Sequence, residues 1–253
     1  IQELKNIIIS TALQIEKNTE NKTPFFPIDR VFTLKGQGTV VTGTLFKGEL
    51  NQDQEVMLYP SGKKMKIRSL ESHQKKEKKV SSGSRVGINV SGLDKNEISK
   101  GDVIAEEDSL LKSKFFEAKL KIIKDLNFKI KNGDRIHFHT AASEVTGTIY
   151  IYGEKEAFPG EEVFVKFKLD KEITLFFKQK YIIRRFSPLD TIGGGSILEL
   201  DPPPRRKLNE AKIVDKLKFL NQADSLDTVE FFIKNSKNQP VKIDFLRKSK
   251  IGI

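Results

Sequence analysis

Asp29 and Arg30 stand side by side in Pro24-Phe25-Phe26-Pro27-Ile28-Asp29-Arg30-Val31-Phe32, a run otherwise apolar and β-branched. A carboxylate next to a guanidinium allows two chemistries. The pair pins a strand as an ion pair, or it lines a site for a ligand with charges of its own. Successive strand residues point to opposite faces, so the two share a face only where a bulge re-aims one of them. His137 and His139, in His137-Phe138-His139-Thr140-Ala141-Ala142-Ser143, are two apart and face one side of a strand. Metal ligands would do the same, but no third ligand lies at metal spacing and His73 is alone. No metal site is therefore expected, and the histidines are read as hydrogen-bonding within the sheet or touching RNA phosphate. Lys75, Lys76, Lys78 and Lys79 flank Glu77 in a charged loop. Such a run is a solvated surface or a set of point charges for a phosphate backbone. Gly193-Gly194-Gly195 is the one glycine cluster, and no Lys-Ser or Lys-Thr follows it. It is read as a loop between strands and not as a phosphate cradle, so no catalytic residue is assigned.

The totals narrow the class. The 253 residues suffice for two or three domains. A net charge of +11 suits a polyanionic partner. Cysteine is absent, which excludes disulfides, thiol catalysis and cysteine-ligated metals. No apolar run approaches the ~18 residues of a membrane span, and no signal peptide is recognisable. A cytoplasmic protein with no membrane partner is expected.

The elements that must hold these residues are mostly strands. Residues 1–18 show a helical apolar stripe (Leu4, Ile7, Ile8, Ile15) and lead into a polar linker, so 1–24 form a helix and linker. Residues 28–34 and 39–45 are β-branched runs about Gly36-Gln37-Gly38, which supplies the positive φ of a hairpin turn. Gly43 inside the second run predicts a bulge or a close backbone approach. Further short strands at 55–59, 64–70, 85–90 and 103–105 complete a first barrel over 25–107. Strands near 114–122, 135–139, 144–152, 162–169, 180–186 and 196–200 make a second over 112–201. Val145-Thr146-Gly147-Thr148 repeats Val41-Thr42-Gly43-Thr44. Pro202-Pro203-Pro204 with Arg205-Arg206-Lys207 forms a stiff basic linker, 202–207. Helical periodicity takes over at 208–253, and over 205–253 twelve Lys or Arg face six Asp or Glu. Three short basic helices there suggest the start of a winged-helix unit. The fold class is mainly β: two consecutive barrels followed by a short helical, incomplete winged-helix segment.

The string from Ile28 to Glu49, IDRVFTLKGQGTVVTGTLFKGE, resembles the opening of the second domain of translational GTPases. Two further strings, HFHTAASEVTG and TIGGG followed by DPPPRR, narrow the resemblance to the selenocysteine-specific elongation factors, SelB. The resemblance implies elongation-factor barrels as second and third domains. It also implies a GTPase domain with GTP and Mg before residue 1, and winged helices that bind an mRNA hairpin after residue 253. It implies delivery of selenocysteinyl-tRNA to the ribosome at recoded stop codons, a role in which these barrels bind the aminoacyl end and are not enzymes alone. By that resemblance Asp29, Arg30 and Arg85 (in Ser84-Arg85-Val86-Gly87) line the pocket for the selenocysteinyl group. The chemistry is coherent, because a selenol ionises at neutral pH and guanidiniums reward an anion, while Asp29 suits the α-amino group. Lys75, Lys76, Lys78, Lys79, His137, His139, Arg205 and Arg206 become candidate RNA contacts. Two relatives share the hairpin and remain alternatives: another translational GTPase, and the GTPase subunit of sulfate adenylyltransferase.

Overall fold

The computed structural model describes residues 1–14, 23–36, 38–200, 202 and 209–235. Its first barrel contains β1 (Phe26–Leu34), β2 (Gly38–Thr44), β3 (Glu49–Asn51), β4 (Glu55–Tyr59), β5 (Lys63–Ser72), β6 (Lys75–Glu77), β7 (Lys79–Ser81), β8 (Arg85–Ser91) and β9 (Val103–Ala105). The hydrogen-bonded order β4-β9-β1-β2-β8-β5 closes through a β4–β5 pairing, and β6 extends from β5. Alternation puts Ile28, Val41, Ile67, Ile88 and Ile104 inward, each fully buried.

The expected charged loop at 75–79 is corrected here. Lys75–Glu77 pairs with β5, and Lys79–Ser81 pairs with β3. His73 and Gln74 take positive φ, at 51° and 62°, and reverse the chain in two residues. Lys75 and Lys76 then sit on an exposed outer strand, where charge discourages pairing with other sheets.

The second barrel comprises β10 (Leu111–Ile122), β12 (Arg135–Thr140), β13 (Ser143–Ile151), β15 (Glu162–Leu175), β16 (Lys180–Arg185) and β17 (Thr191–Leu200). The short pair β11 (Ile130–Lys131) and β14 (Glu156–Ala157) lies beside it. It closes as β10-β15-β13-β12-β16-β17 around Phe116, Phe138 and Phe167. A second correction concerns Gly193-Gly194-Gly195, which belongs to β17 and not to a loop. A Cβ at Gly193 would lie 2.6 Å from the Lys121 carbonyl oxygen, and one at Gly194 2.6 Å from that of Tyr181. The glycines let β17 press against β10 and β16.

The barrels meet edge to face. Phe25 stands 4.9 Å from Phe176, whose ring also carries the Lys47 ammonium at 3.6 Å.

Helix α1 (Gln2–Gln14) realises the first part of the helix expected over 1–18; the rest of that helix and most of the linker lie outside the described residues. Leu4, Ile7 and Ile8 are exposed on it. Helix α2 (Glu210–Gln222) docks on the second barrel, with Ile213, Leu217 and Leu220 against Tyr152, Phe177 and Leu198. Asn209 caps it, its side chain accepting from the Ala211 amide at 3.0 Å. Replacing Asn209 by alanine is expected to cost about 1 kcal/mol of helix stability. Urea unfolding monitored by a probe on α2 measures it, and an unchanged midpoint would show the cap to be idle. At the other end Lys178 Nζ donates to the Ala223 carbonyl at 2.6 Å. Helix α3 (Ser225–Asn235) follows, stacking Phe231 on Phe219 at 5.0 Å. The third expected helix lies outside the described residues.

One buried polar cluster fastens α2. The β10–β17 register sets Glu117 directly opposite Glu199, and they are 3% and 7% exposed. Tyr152 donates to Glu117 at 2.5 Å, and Lys216 of α2 reaches both carboxylates, forming a close ion pair with Glu199 and lying 3.7 Å from Glu117. Burial, with the Glu199 charge beside it, pushes the Glu117 carboxyl up to about 7.

Candidate functional site

Strand pairing explains how three charged residues reach one face. Thr42 and Thr44 are two apart on β2 and share its outer face. Arg30 lies opposite Thr42, and Arg85 on β8 lies opposite Thr44, so both arginines belong to that face. Asp29 would point the other way in a regular strand. The register, however, steps from Ile28↔Gly43 to Arg30↔Thr42, leaving Asp29 as the extra residue of a bulge. Gly43 permits it, since a Cβ there would come within 2.9 Å of the Phe26 ring and collide with the Pro27 carbonyl. Both sequence signals, the mismatched Asp-Arg pair and the strand glycine, describe this one feature.

The bulge carries the Asp29 carboxylate to Thr42 and Arg85. Thr42 Oγ1 donates to Oδ1 at 2.9 Å, Arg85 Nη2 donates to Oδ1 at 3.0 Å, and Arg85 Nη1 donates to Oδ2. Partial burial works to raise the Asp29 carboxyl. The Arg85 and Thr42 hydrogen bonds, with the Arg85 and Arg30 charges, outweigh it and hold the group below the ordinary carboxylate range. Arg30 is exposed. Among the described residues it engages no carboxylate or carbonyl, and its charge acts on Asp29 through space. The trio thus carries one net positive charge, and that charge resides on Arg30.

Asp29 also lines a cleft of about 380 Å³ between the barrels. Pro27, Thr44, Phe46 and Lys100 line it from the first barrel, and His139 with Ala141–Glu144 from the second. The histidine string, a separate motif in the sequence, faces Asp29 across this gap. Lys100 carried no sequence signal, and Thr44 and Phe46 stood in the Ile28–Glu49 string with no role of their own; their place follows from the junction of two barrels. His137 Nδ1 lies 3.2 Å from Glu144 and His139 Nδ1 lies 3.9 Å from it. Desolvation lowers the His139 pKa and outweighs the opposing Glu144 charge. No cluster of three metal-binding side chains occurs among the described residues.

The remaining candidates disperse. Lys75, Lys76 and Lys78 are exposed near the β5–β6 edge, while Lys79 pairs with Glu49 at 2.5 Å. Arg205 and Arg206 lie outside the described residues.

The Val-Thr-Gly-Thr repeat has a structural counterpart. In the second barrel Thr146 donates to Asp170, and Arg135 grips the same carboxylate, Nη1 to Oδ1 at 2.9 Å. Arg135 lies opposite Thr148, as Arg85 lies opposite Thr44. Each barrel therefore carries a Thr–Asp–Arg clasp across its central strand. His137, opposite Thr146, takes in the second barrel the place that Gly87, opposite Thr42, holds in the first. A clasp alone is thus a way to pin strands; the first barrel adds the bulge, an uncommitted guanidinium and the cleft.

Residues 38–105 match the model of elongation factor Tu domain 2, and residues 118–204 match that of the selenocysteine-specific elongation factor, beta-barrel domain. A selenocysteine-specific elongation factor of Desulfomicrobium baculatum is 29% identical over 223 residues, which is 88% of this chain and 35% of the relative. The chain spans about a third of the length of the first curated relatives it matches. The crystal structure of translation elongation factor SelB from Methanococcus maripaludis, apo form, superposes with a TM-score of 0.67 at 27% identity, covering 79% of this chain and 48% of that one. That of a bacterial selenocysteine-specific elongation factor, EF-Sec, covers the whole chain and 39% of its own, with a TM-score of 0.77 at 23% identity, a likeness of fold.

Proposed function

We propose that this chain, which belongs to the selenocysteine-specific elongation factors, holds the aminoacyl end and acceptor arm of selenocysteinyl-tRNA at the bulge of its first barrel. The observation that carries the reading is the placement of Asp29, Arg85 and the uncommitted Arg30 on one face beside the inter-barrel cleft. A selenolate brings one negative charge to a trio with one positive charge. Arg30 donates to it, and a charge-assisted hydrogen bond of this kind contributes roughly 1.5–3 kcal/mol. The Asp29 carboxylate, held ionised by Arg85 and Thr42, accepts from the α-ammonium group of the ester. A seryl group offers a neutral hydroxyl and leaves the Arg30 charge unanswered. Arg30 is exposed in this chain, so it stays hydrated when unpaired; discrimination is set by the missing attraction and steepens wherever a further surface excludes water.

The whole protein, on this reading, delivers the charged tRNA to the ribosome at recoded stop codons in the cytoplasm, and reads an mRNA hairpin through its C-terminal arm. GTP and Mg²⁺ belong to its GTPase domain. Gly193-Gly194-Gly195 is committed to strand contact and is not a phosphate cradle. The test is competition binding of one tRNA charged with selenocysteine or with serine. A preference of about tenfold or more for the selenocysteinyl form is expected. Equal affinities would remove the selenolate reading and leave a generic tRNA-holding barrel pair.

A further inference from the structure

A second concavity, of about 390 Å³, opens on the second barrel beside β11, β12 and the end of β16. Phe128 and Phe186 stand in its walls, with Lys129, Lys131, Arg135 and Arg185 around them. The geometry is one of flat groups laid on flat groups. The Arg185 guanidinium lies 4.4 Å from the Phe128 ring centre, and that of Arg135 lies 5.7 Å from Phe186. His137 stacks on Phe186 at 5.2 Å with planes 28° apart, and His139 continues the stack 6.3 Å further on. The ladder therefore runs from the inter-barrel cleft, which His139 lines, to this slot. Phe186 is 49% exposed.

A half-exposed ring, Phe186, set among guanidiniums and lysines suits nucleobases, whose faces stack on any ring and whose phosphates answer the cations. A protein partner would need a broad apolar patch, whereas here single rings are set among charges. Asp134 is the one carboxylate in the lining, and Asp170 and Glu156 partly neutralise Arg135 and Lys129 from outside it. Arg185 has its guanidinium on a ring and its backbone N–H on the Asp190 carbonyl, and among the described residues it forms no ion pair, so its charge can answer a phosphate.

We infer that the Phe128–Phe186 slot binds an unpaired nucleotide of an RNA strand, the base stacking on Phe186 and its phosphate meeting Arg185. The inference stands apart from the selenolate reading, since neither Arg30 nor Asp29 takes part.

The experiment is fluorescence anisotropy of the whole chain at low salt with a labelled single-stranded RNA pentamer, the same sequence as a blunt duplex, and its DNA equivalent. Phe186→Ala is expected to weaken single-strand binding by about tenfold, and Phe186→Tyr to restore it. Arg185→Met is expected to weaken it and to flatten its salt dependence, while Lys63→Ala on the first barrel leaves it unchanged. Phe186 is half-exposed at the end of β16, so its replacement is compatible with folding, and circular dichroism checks that. Duplex bound as tightly as single strand would overturn the inference, as would indifference to Phe186→Ala. DNA bound as well as RNA would overturn its assignment to RNA. Absence of oligonucleotide binding would overturn it too and turn the ring towards a protein partner. In every case the ratio of selenocysteinyl to seryl binding is measured on the same variants. It is expected not to move, so failure of one proposal is distinguishable from failure of the other.

Discussion

Replacing Arg30 by glutamine is expected to lower the preference for selenocysteinyl-tRNA over seryl-tRNA by about 10- to 100-fold, almost entirely through weaker selenocysteinyl binding. The sequence offers two arginines for this role, and the structure separates them. Arg85 grips both oxygens of Asp29, so its charge is answered before any ligand arrives. Arg30 has no such partner among the described residues. An anion therefore gains most from Arg30, while Arg85 acts through the carboxylate it positions. Arg85→Gln should leave the selenocysteinyl-to-seryl ratio closer to that of the parent and weaken both forms together, because Asp29 then loses its orientation towards the α-ammonium group. Its cost to stability is small, about 1 kcal/mol or less, since Arg85 is 52% exposed and solvent screens the pair. Affinities of both aminoacyl forms for the two variants decide the matter. If Arg85→Gln erases the ratio and Arg30→Gln preserves it, the assignment of roles is inverted.

Lys216→Met is expected to release α2 from the second barrel. The substitution keeps the helix and the stem of the side chain but strands Glu117 and Glu199 opposite each other in a nearly dry interface. Removing one member of a buried charge cluster costs roughly 3–5 kcal/mol. Hydrogen exchange should show protection of the α2 amides falling by two orders of magnitude or more, while the core of β10 and β17 keeps its own. The same cluster makes docking depend on pH in the parent. Glu117 titrates near 7 when docked and near 4.5 when solvated. The docked state therefore binds a proton more tightly, and its advantage is full below about pH 4.5. It is lost as pH rises towards 7, and on the order of 3 kcal/mol is involved at most. The facing charges are Lys216 from α2, Glu199 from β17 and Lys166, opposite Glu117 on β15; the Tyr152 hydroxyl lies against Glu117 as well. Protection of α2 should thus be greater at pH 5 than at pH 8, and Glu117→Gln should flatten the profile. A parent profile that rises with pH would assign the wrong sign to this carboxylate.

Legibility differed by kind of residue. The barrels were readable because alternation and turn chemistry are local. The run from Val103 to Ala105 was placed to the residue, while of the apolar stripe of α2 Ile213, Leu217 and Leu220 are buried and Ala211 is exposed. Glycine misled where its reason is distant. Gly193-Gly194-Gly195 looks like a turn in one dimension, and only the approach of Lys119, Lys121 and Tyr181 from other strands reveals a tightly packed strand. The short β6 and β7 were missed because their charged residues carry no apolar period. At the candidate site Asp29 and Arg30 were legible as a conflict with strand alternation, and the bulge resolves it. That Arg85 spends its charge on Asp29 was not, since pairing across β2 depends on register. The second clasp, Thr146–Asp170–Arg135, was visible only as a four-residue repeat. Glu117 and Glu199 look like solvated strand residues until α2 covers them.

The most direct test of the central claim uses the selenium atom itself. Crystals of the chain with a selenocysteinyl ester of a short tRNA-end analogue would show that atom by anomalous scattering. The account predicts a single peak within hydrogen-bonding reach of the Arg30 guanidinium, with the α-ammonium group on Asp29. A peak elsewhere, against His139 in the cleft or on the far side of the barrel, with Arg30 still free in solvent, would contradict it.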